Sequence, residues 1–371
     1  MTEVDGAAKP PLGEITADQL LRRSCARPNT DAAAALVHGR RVLVTGAGGS
    51  IGRELARQLD AMAPAVLYLL DHDESALHSL QLDLTGNGLL NSDRLILADI
   101  RDRGPVRELF RQLRPHVVFH AAALKHLPLL ERFPCEGVKT NVLGTQNLVD
   151  AAVESGVDRF ILISTDKAAA PTSVLGYTKR LAELLIAESA EQGGTRFASV
   201  RFGNVLGTRG SLLDALRWQT ERGLPVTLTH PYATRFFMTV AEAVGLVLQA
   251  GTLANAGETY VLDMGEPVRI VDLVKRYAEL TGVRNIHIVY GGLRPGEKLH
   301  EELTAAAEEL SPTGLARIAM VASTDVDSRL RAYLTPLFAA ALNADGARVR
   351  RLLGDMPCLR PSGISEPTAV T

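Results

Sequence analysis

Thr45-Gly-Ala-Gly-Gly-Ser-Ile-Gly52 sits between a short apolar run, Arg41 to Thr45, and a segment from Ile51 to Leu59 with apolar residues at helical spacing. No other stretch narrows the possible architectures so far. Glycines at 46, 49 and 52 let backbone approach a pyrophosphate closely, while the new helix aims its unpaired N–H groups and its dipole at the same charge. Gly46, Gly49, Ser50, Ile51 and Gly52 are therefore candidate contacts to a dinucleotide. Asp71 stands about 25 residues beyond Gly46, at the end of the next apolar run, where a carboxylate can bind the ribose 2′-OH. It favours NAD over NADP, because it repels a 2′-phosphate and no Arg or Lys follows it in Asp71-His-Asp-Glu74. The bland alternative is a tight turn and an Asp that merely caps the next helix. Asp99 and Ile100 follow the third apolar run, where an adenine contact is expected, although an Asp there equally serves a turn.

Buried-strand candidates recur at Val66 to Leu70, Leu95 to Ala98, Val117 to His120, Phe160 to Ser164 and Ala198 to Phe202, with helical patterns between them. That alternation predicts an α/β fold, a doubly wound parallel Rossmann sheet. After about Asn204 glycine and proline become frequent and strands such as Val226 to Thr229 and Tyr260 to Asp263 stand alone, which predicts a smaller C-terminal substrate lobe. The expected organisation is an arm over 1–37, a NAD(P)-binding domain over 38–203, a mainly substrate-binding lobe over 204–310, and a helical extension and tail over 311–371.

Composition removes several classes. A net charge of −2 offers no basic field for nucleic acid. The three cysteines, Cys25, Cys135 and Cys358, lack metal-ligand spacing and read as reduced cytoplasmic thiols. The start, MTEVDGAAKPPLGE, is acidic where a secretory signal is basic, and no apolar run reaches membrane-spanning length. A cytoplasmic location is expected.

Further motifs follow in order: His120-Ala-Ala-Ala-Leu-Lys-His126, Asn141-Val-Leu-Gly-Thr145, Ser164-Thr-Asp-Lys-Ala168, Pro171-Thr172, Val200-Arg-Phe-Gly-Asn-Val-Leu-Gly207, Thr234-Arg-Phe-Phe-Met-Thr239 and Leu293-Arg-Pro-Gly-Glu-Lys298. From about residue 38 to 305 the chain resembles the soluble catalytic part of the configuration-retaining UDP-N-acetylglucosamine 4,6-dehydratases. These are extended short-chain dehydrogenases/reductases of bacterial polysaccharide biosynthesis. Many of those relatives carry an N-terminal membrane region that this sequence does not show. Epimerases of related nucleotide sugars share several of the blocks. The resemblance implies NAD, a UDP-sugar substrate and a homo-oligomer, and it turns Ala121, Lys125, Asn141 and Lys179 toward the cofactor.

In that superfamily a Tyr four residues before a Lys removes the hydroxyl proton. Here Lys179 is present, but Leu175 stands four before it. Tyr177, two before it, lies about 200° around a helix and cannot share that face. Either the site is dead or its acid/base work has moved. The resemblance implies the second, with Thr165, Asp166 and Lys167 as the catalytic triplet. Lys167 is then the base at C5, requiring a lowered pKa, Asp166 the acid at the C6 oxygen, requiring a raised one, and Thr165 the partner of the C4 oxygen. A loop ion pair is the plain reading of Asp166-Lys167. Lys125 and His126 are candidates for substrate or nicotinamide contact and Tyr177 for packing near the sugar. Asn204, Arg209, Arg235, Arg294 and Glu297 are candidates for the nucleotide end, where planar guanidinium forks suit a diphosphate. The extended stretch from Pro225 through Val226 could pair its backbone with a pyrimidine. The expected activity is dehydration of a UDP-N-acetylhexosamine. Its rivals are an epimerase working through a keto intermediate and a non-catalytic cofactor-binding regulator.

Overall fold

The computed structural model describes residues 15, 17–21, 23, 28–321 and 326–359. Cys25 and the Pro/Ser/Thr-rich end lie outside them. Short apolar runs form the strands β1 (Arg41–Thr45), β2 (Val66–Asp71), β3 (Leu95–Leu97), β4 (Val117–His120), β5 (Arg159–Ile163) and β6 (Arg196–Arg201). All pair in parallel, in the order β3-β2-β1-β4-β5-β6. Val117-Val-Phe-His120 is buried at every position, as a strand covered on both faces must be. Helices Ser50–Asp60 and Val240–Leu253 cover one face; Arg103–Leu113, Thr145–Ser155 and Val174–Ala190 cover the other. The α/β doubly wound expectation holds. The strand order reverses between β1 and β4, which opens a crevice at their carboxyl ends, the usual ligand position in such sheets.

The sheet is longer than the sequence pattern suggests. Strand Ala256–Leu262 pairs in parallel with β6, and Ile318–Val321 and Leu310–Pro312 continue it in antiparallel. The chain therefore leaves the sheet after β6 and returns twice from beyond residue 204. What remains outside is a small lobe of two-stranded ribbons, pairing 204–206 with 237–239, 226–228 with 288–290, and 234–235 with 268–269. Its own apolar cluster includes Leu216, Val226, Phe237 and Leu273.

The amino-terminal segment is more than an arm. Helix Ala17–Leu21 buries Leu20 in the lobe's cluster, and helix Asp31–Val37 buries Ala33 and Val37 against Val240–Leu253. Pro28 lies so close to Gly245 that a Cβ there would come within 2.8 Å of its ring. At the other end, helices Leu330–Leu342 and Gly346–Asp355 pack Leu330, Leu334, Leu337 and Leu353 against Val138, Val142 and Leu181. Among the described residues no helix is long and apolar enough to cross a membrane.

Candidate active site

The glycine turn joins β1 to helix Ser50–Asp60, as its sequence requires. Gly46 has φ +70°, and a Cβ there would sit 2.5 Å from the Ala122 nitrogen; one on Gly52 would sit 2.0 Å from the Gly46 carbonyl oxygen. These glycines let the turn fold against both β4 and its own helix. The N-cap, Gly49, offers no side chain to the first helical N–H groups, which leaves them for an anion. Asp71 ends β2 and accepts from the Gly48 N–H (2.9 Å) and the Asp73 N–H (3.0 Å). A carboxylate has about four acceptor positions, so capacity remains for ribose hydroxyls. The turn, the open first helical turn and Asp71 together fit a dinucleotide.

Beyond the turn lies a cavity of about 350 Å³. Ile51 and Ala121 line it from the cofactor side, Lys125 and His126 from the loop after β4, Thr165 and Lys167 from the loop after β5, and Asn204 from the lobe. Leu175 and Lys179, one turn apart on helix Val174–Ala190, line it together. An apolar side chain thus occupies the place of the usual phenol. Lys179 donates to the Ile163 carbonyl at 2.5 Å, and burial, partly opposed by Glu183, pushes its pKa down to about 8. Tyr177 turns away and packs against the C-terminal helices' cluster, as its position on the helix dictates. It is not near the cavity, contrary to its expected place by the sugar.

Asp166 is fully buried and is absent from the cavity wall. Its Oδ1 accepts from the Thr165 hydroxyl at 2.8 Å and from Lys167 Nζ at 2.9 Å. Thr165 and Lys167 thus connect it to the cavity. Asp166 Oδ2 has no hydrogen-bond partner and faces Gly203, where an added Cβ would be 3.1 Å away. Glu301, not singled out from the sequence, places Oε1 3.6 Å from Lys167 Nζ, and its Oε2 is also buried without a partner. Burial works against the Lys167 charge, but Asp166 and Glu301 outweigh it and hold the ammonium above the usual lysine range. The lowered pKa expected of Lys167 is therefore corrected: two flanking carboxylates outweigh both burial and the opposing charge of Arg235.

A charged cluster lies behind this loop. Arg201, fully buried at the end of β6, donates to both oxygens of Glu183 at 2.7 Å and to both of Glu308 at 2.6 and 2.9 Å. Arg180 reaches Glu308 at 3.0 Å, and Ser164 donates to Glu183 at 2.6 Å. Both carboxylates keep Arg201 charged despite burial. Two arginines balance two glutamates, and the cluster ties Ser164 and the helix of Lys179 to the loop around residue 308.

A second chain of bonds starts at Thr45. The Thr145 hydroxyl donates to the Asn141 carbonyl at 2.8 Å. His120 Nε2–H must then donate to Thr145 Oγ1 (3.0 Å), leaving Nδ1 to accept from the Thr45 hydroxyl at 2.7 Å. Burial, helped by Lys179, pushes the imidazole pKa down to about 3, so it stays neutral. Asn141 lies in a π-helical stretch, Val138–Gly144, a form that often marks functional positions. Its amide exchanges bonds with Leu124 N–H (2.8 Å) and carbonyl (3.0 Å) and donates to Thr178 at 3.1 Å. Asn141 braces the loop bearing Lys125 and His126, with both of its amide hydrogens committed within the chain.

Other candidate residues also have partners within the chain. Arg209 lies on the glycine turn: its guanidinium donates to the Gly48 carbonyl, its N–H to Ser50 Oγ at 3.0 Å, and its carbonyl accepts from Lys125 at 2.9 Å. Asp99 is gripped by Arg101, and Ile100 is buried against Gly144. The Val226 N–H is committed to the His287 carbonyl at 2.8 Å, so it cannot meet a base. Arg235 is buried and donates to Glu297 at 2.9 Å and to the Thr234 and Leu299 carbonyls. Half-exposed Arg294 takes the other Glu297 oxygen at 2.9 Å. Burial raises the Glu297 pKa, but these arginines overcome that and keep it low. None of Val226, Arg235, Arg294 and Glu297 lines the cavity. The Arg235–Glu297–Arg294 group keeps one net positive charge, and Arg235 acts electrostatically on Lys167 in the cavity wall.

Residues 42–323 match the family described as polysaccharide biosynthesis protein. The chain is 47% identical over 295 residues, 79% of its length, to the probable polysaccharide biosynthesis protein EpsC of Bacillus subtilis (strain 168). It spans about half of that relative, 49%. It is 33% identical, over 72% of its length and 78% of the relative's, to the UDP-N-acetylglucosamine 4,6-dehydratase (inverting) of Campylobacter jejuni. Among solved structures, MoeE5 in complex with UDP-glucose and NAD superimposes with a TM-score of 0.59 at 28% identity, over 71% of this chain and 88% of that one.

Proposed function

Because this chain belongs to the polysaccharide biosynthesis protein family, we propose that it is an NAD-dependent nucleotide-sugar 4,6-dehydratase whose substrate is a UDP-N-acetylhexosamine, UDP-N-acetylglucosamine first among them. One observation carries the reading. Where a phenol would stand one turn before Lys179 there is Leu175, while a Lys167–Asp166 pair at 2.9 Å opens onto the same cavity through Lys167 and Thr165. A plain oxidoreductase has no use for that second acid/base pair; an elimination does. Likeness to the Campylobacter dehydratase and to a structure holding UDP-glucose and NAD agrees with it.

The glycine turn's N–H groups, Asp71 and Lys179 would hold the dinucleotide, which when bound would supply hydride transfer from C4 of the sugar and back to C6. The C4 hydroxyl proton passes to Thr165, whose own proton moves along its 2.8 Å bond to Asp166. Asp166 thereby holds the proton as the acid, and Thr165, which lines the cavity, relays it to the departing C6 oxygen, which leaves as water. Lys167, as the neutral amine, takes the C5 proton made acidic by the C4 ketone and gives it back to the same face. The sugar loses one water in all, and every proton taken up is returned. Two flanking carboxylates favour the ammonium, so the reactive form grows with pH. A sugar that displaces water from the cavity also disfavours the charge. The Arg235–Glu297–Arg294 group, with its spare positive charge, attracts the diphosphate.

The test is incubation with UDP-N-acetylglucosamine and mass analysis of the product. A 4-keto-6-deoxy sugar, one water lighter, is expected, and Lys167→Ala removes its formation. An epimer of unchanged mass refutes dehydration.

A further inference from the structure

The proposed reaction makes Lys167 gain a positive charge as it takes the C5 proton, and the surroundings of its amine decide how easily that happens. Besides Asp166, the carboxylate that pairs with Lys167 is Glu301, from the segment that follows Leu293-Arg-Pro-Gly-Glu-Lys298. Its Oε1 lies 3.6 Å from Nζ. The Glu301 side chain is nearly inaccessible, and its Oε2 meets no hydrogen-bond donor. Neighbouring Glu302 is exposed and pairs with Lys298 at 3.4 Å, an ordinary solvated arrangement. Leaving a carboxylate oxygen buried and unpaired is destabilising, so stability alone does not account for Glu301.

We propose that Glu301 is a positioning residue that holds the charge acquired by Lys167 during proton abstraction, while Asp166 is occupied by the proton it shuttles to the C6 oxygen. The proposal rests on the dehydratase reading. Its logic is a division of labour: once Asp166 is protonated it no longer stabilises an ammonium, and Glu301 is the remaining carboxylate in contact with Lys167. The charged groups facing Lys167 are Asp166, Glu301 and, opposing them, Arg235. Removing one of the two negative charges weakens the ammonium and therefore the base.

Glu301→Gln keeps the shape and removes the charge. Two readouts move in opposite senses. Acetylation of Lys167 by acetic anhydride, followed on its peptide by mass spectrometry across pH, reports the neutral amine without turnover. Its midpoint falls in the variant by about one pH unit, corresponding to roughly tenfold in the proton equilibrium. Wash-in of solvent deuterium at C5 of the sugar, which reports proton abstraction, slows by about tenfold at its high-pH plateau although more amine is free. Glu301→Asp restores part of both, and exposed Glu302→Gln alters neither. A thermal melt establishes that each variant is folded. Loss of a buried carboxylate that acted only structurally would leave the C5 wash-in plateau in place. If the wild type releases no water from UDP-N-acetylglucosamine, the dehydratase reading falls and this proposal with it. If it does, an unmoved midpoint, or a moved midpoint with unaltered wash-in, overturns the role of Glu301 alone.

Discussion

Replacing Lys179 with methionine should make the protein more stable at neutral pH while abolishing its activity. Lys179 is 5% exposed, and burial lowers its pKa from 10.5 to about 8. In the unfolded chain the ammonium returns to its ordinary value. Below pH 8 both states are charged, and the native state carries a burial penalty of about 3 kcal/mol, since each pH unit separating the native from the unfolded value is worth about 1.36 kcal/mol. Between about pH 8 and 10.5 the unfolded chain binds more protons than the native one. Stability therefore rises with pH through that window, and the penalty is gone above it. Methionine removes the penalty and also the 2.5 Å bond to the Ile163 carbonyl, whose loss offsets about 1 kcal/mol. The net gain is about 2 kcal/mol at pH 7, shrinking and then reversing by pH 10.5. Urea unfolding of both proteins, followed by circular dichroism at intervals from pH 7 to 10.5, measures the difference. A variant less stable than wild type at pH 7, or a difference that does not vary with pH, refutes the reasoning.

Other outcomes follow from the same geometry. Gly52→Ala places a methyl 2.0 Å from the Gly46 carbonyl oxygen, so the turn must open. NAD binding measured by fluorescence titration should weaken at least tenfold, with a loss of stability of about 1–3 kcal/mol. Arg201→Met leaves Glu183 and Glu308 buried without their principal cation; a loss of about 3–5 kcal/mol is expected in urea unfolding. It should also raise the Lys179 acetylation midpoint, because Glu183 is no longer neutralised.

The sheet was legible because most of its strands are largely buried apolar runs separated by helical patterns, and Val117-Val-Phe-His120, buried throughout, could hardly be anything else. The glycine turn and Asp71 were legible for a similar reason, since local chain geometry sets both. Ala256–Leu262 was not recognised as part of the same sheet, because nothing in a strand's own residues says which neighbour it pairs with. Residue type alone makes Arg209 and Arg235 candidates for the nucleotide end. Long side chains choose among partners supplied by distant segments, Gly48 for one and Glu297 for the other, and those partners emerge only from tertiary structure. Glu301 and Glu302 are adjacent and chemically alike; one is buried beside Lys167 and the other solvated, a difference no spacing rule reveals. Tyr177 shows the converse: its angular offset from Lys179 already implied that it faces elsewhere.

The return of Ala256–Leu262 to β6 also bears on how such proteins can be re-engineered. A cofactor half cut away after residue 203 would expose β6, buried almost along its whole length, as an open edge ready to recruit foreign strands. Exchanging sugar specificity with a relative is thus a patchwork operation. The inserted ribbons must be transplanted as separate islands around the retained strands and the helix Val240–Leu253, since no single crossover point divides the chain into portable halves.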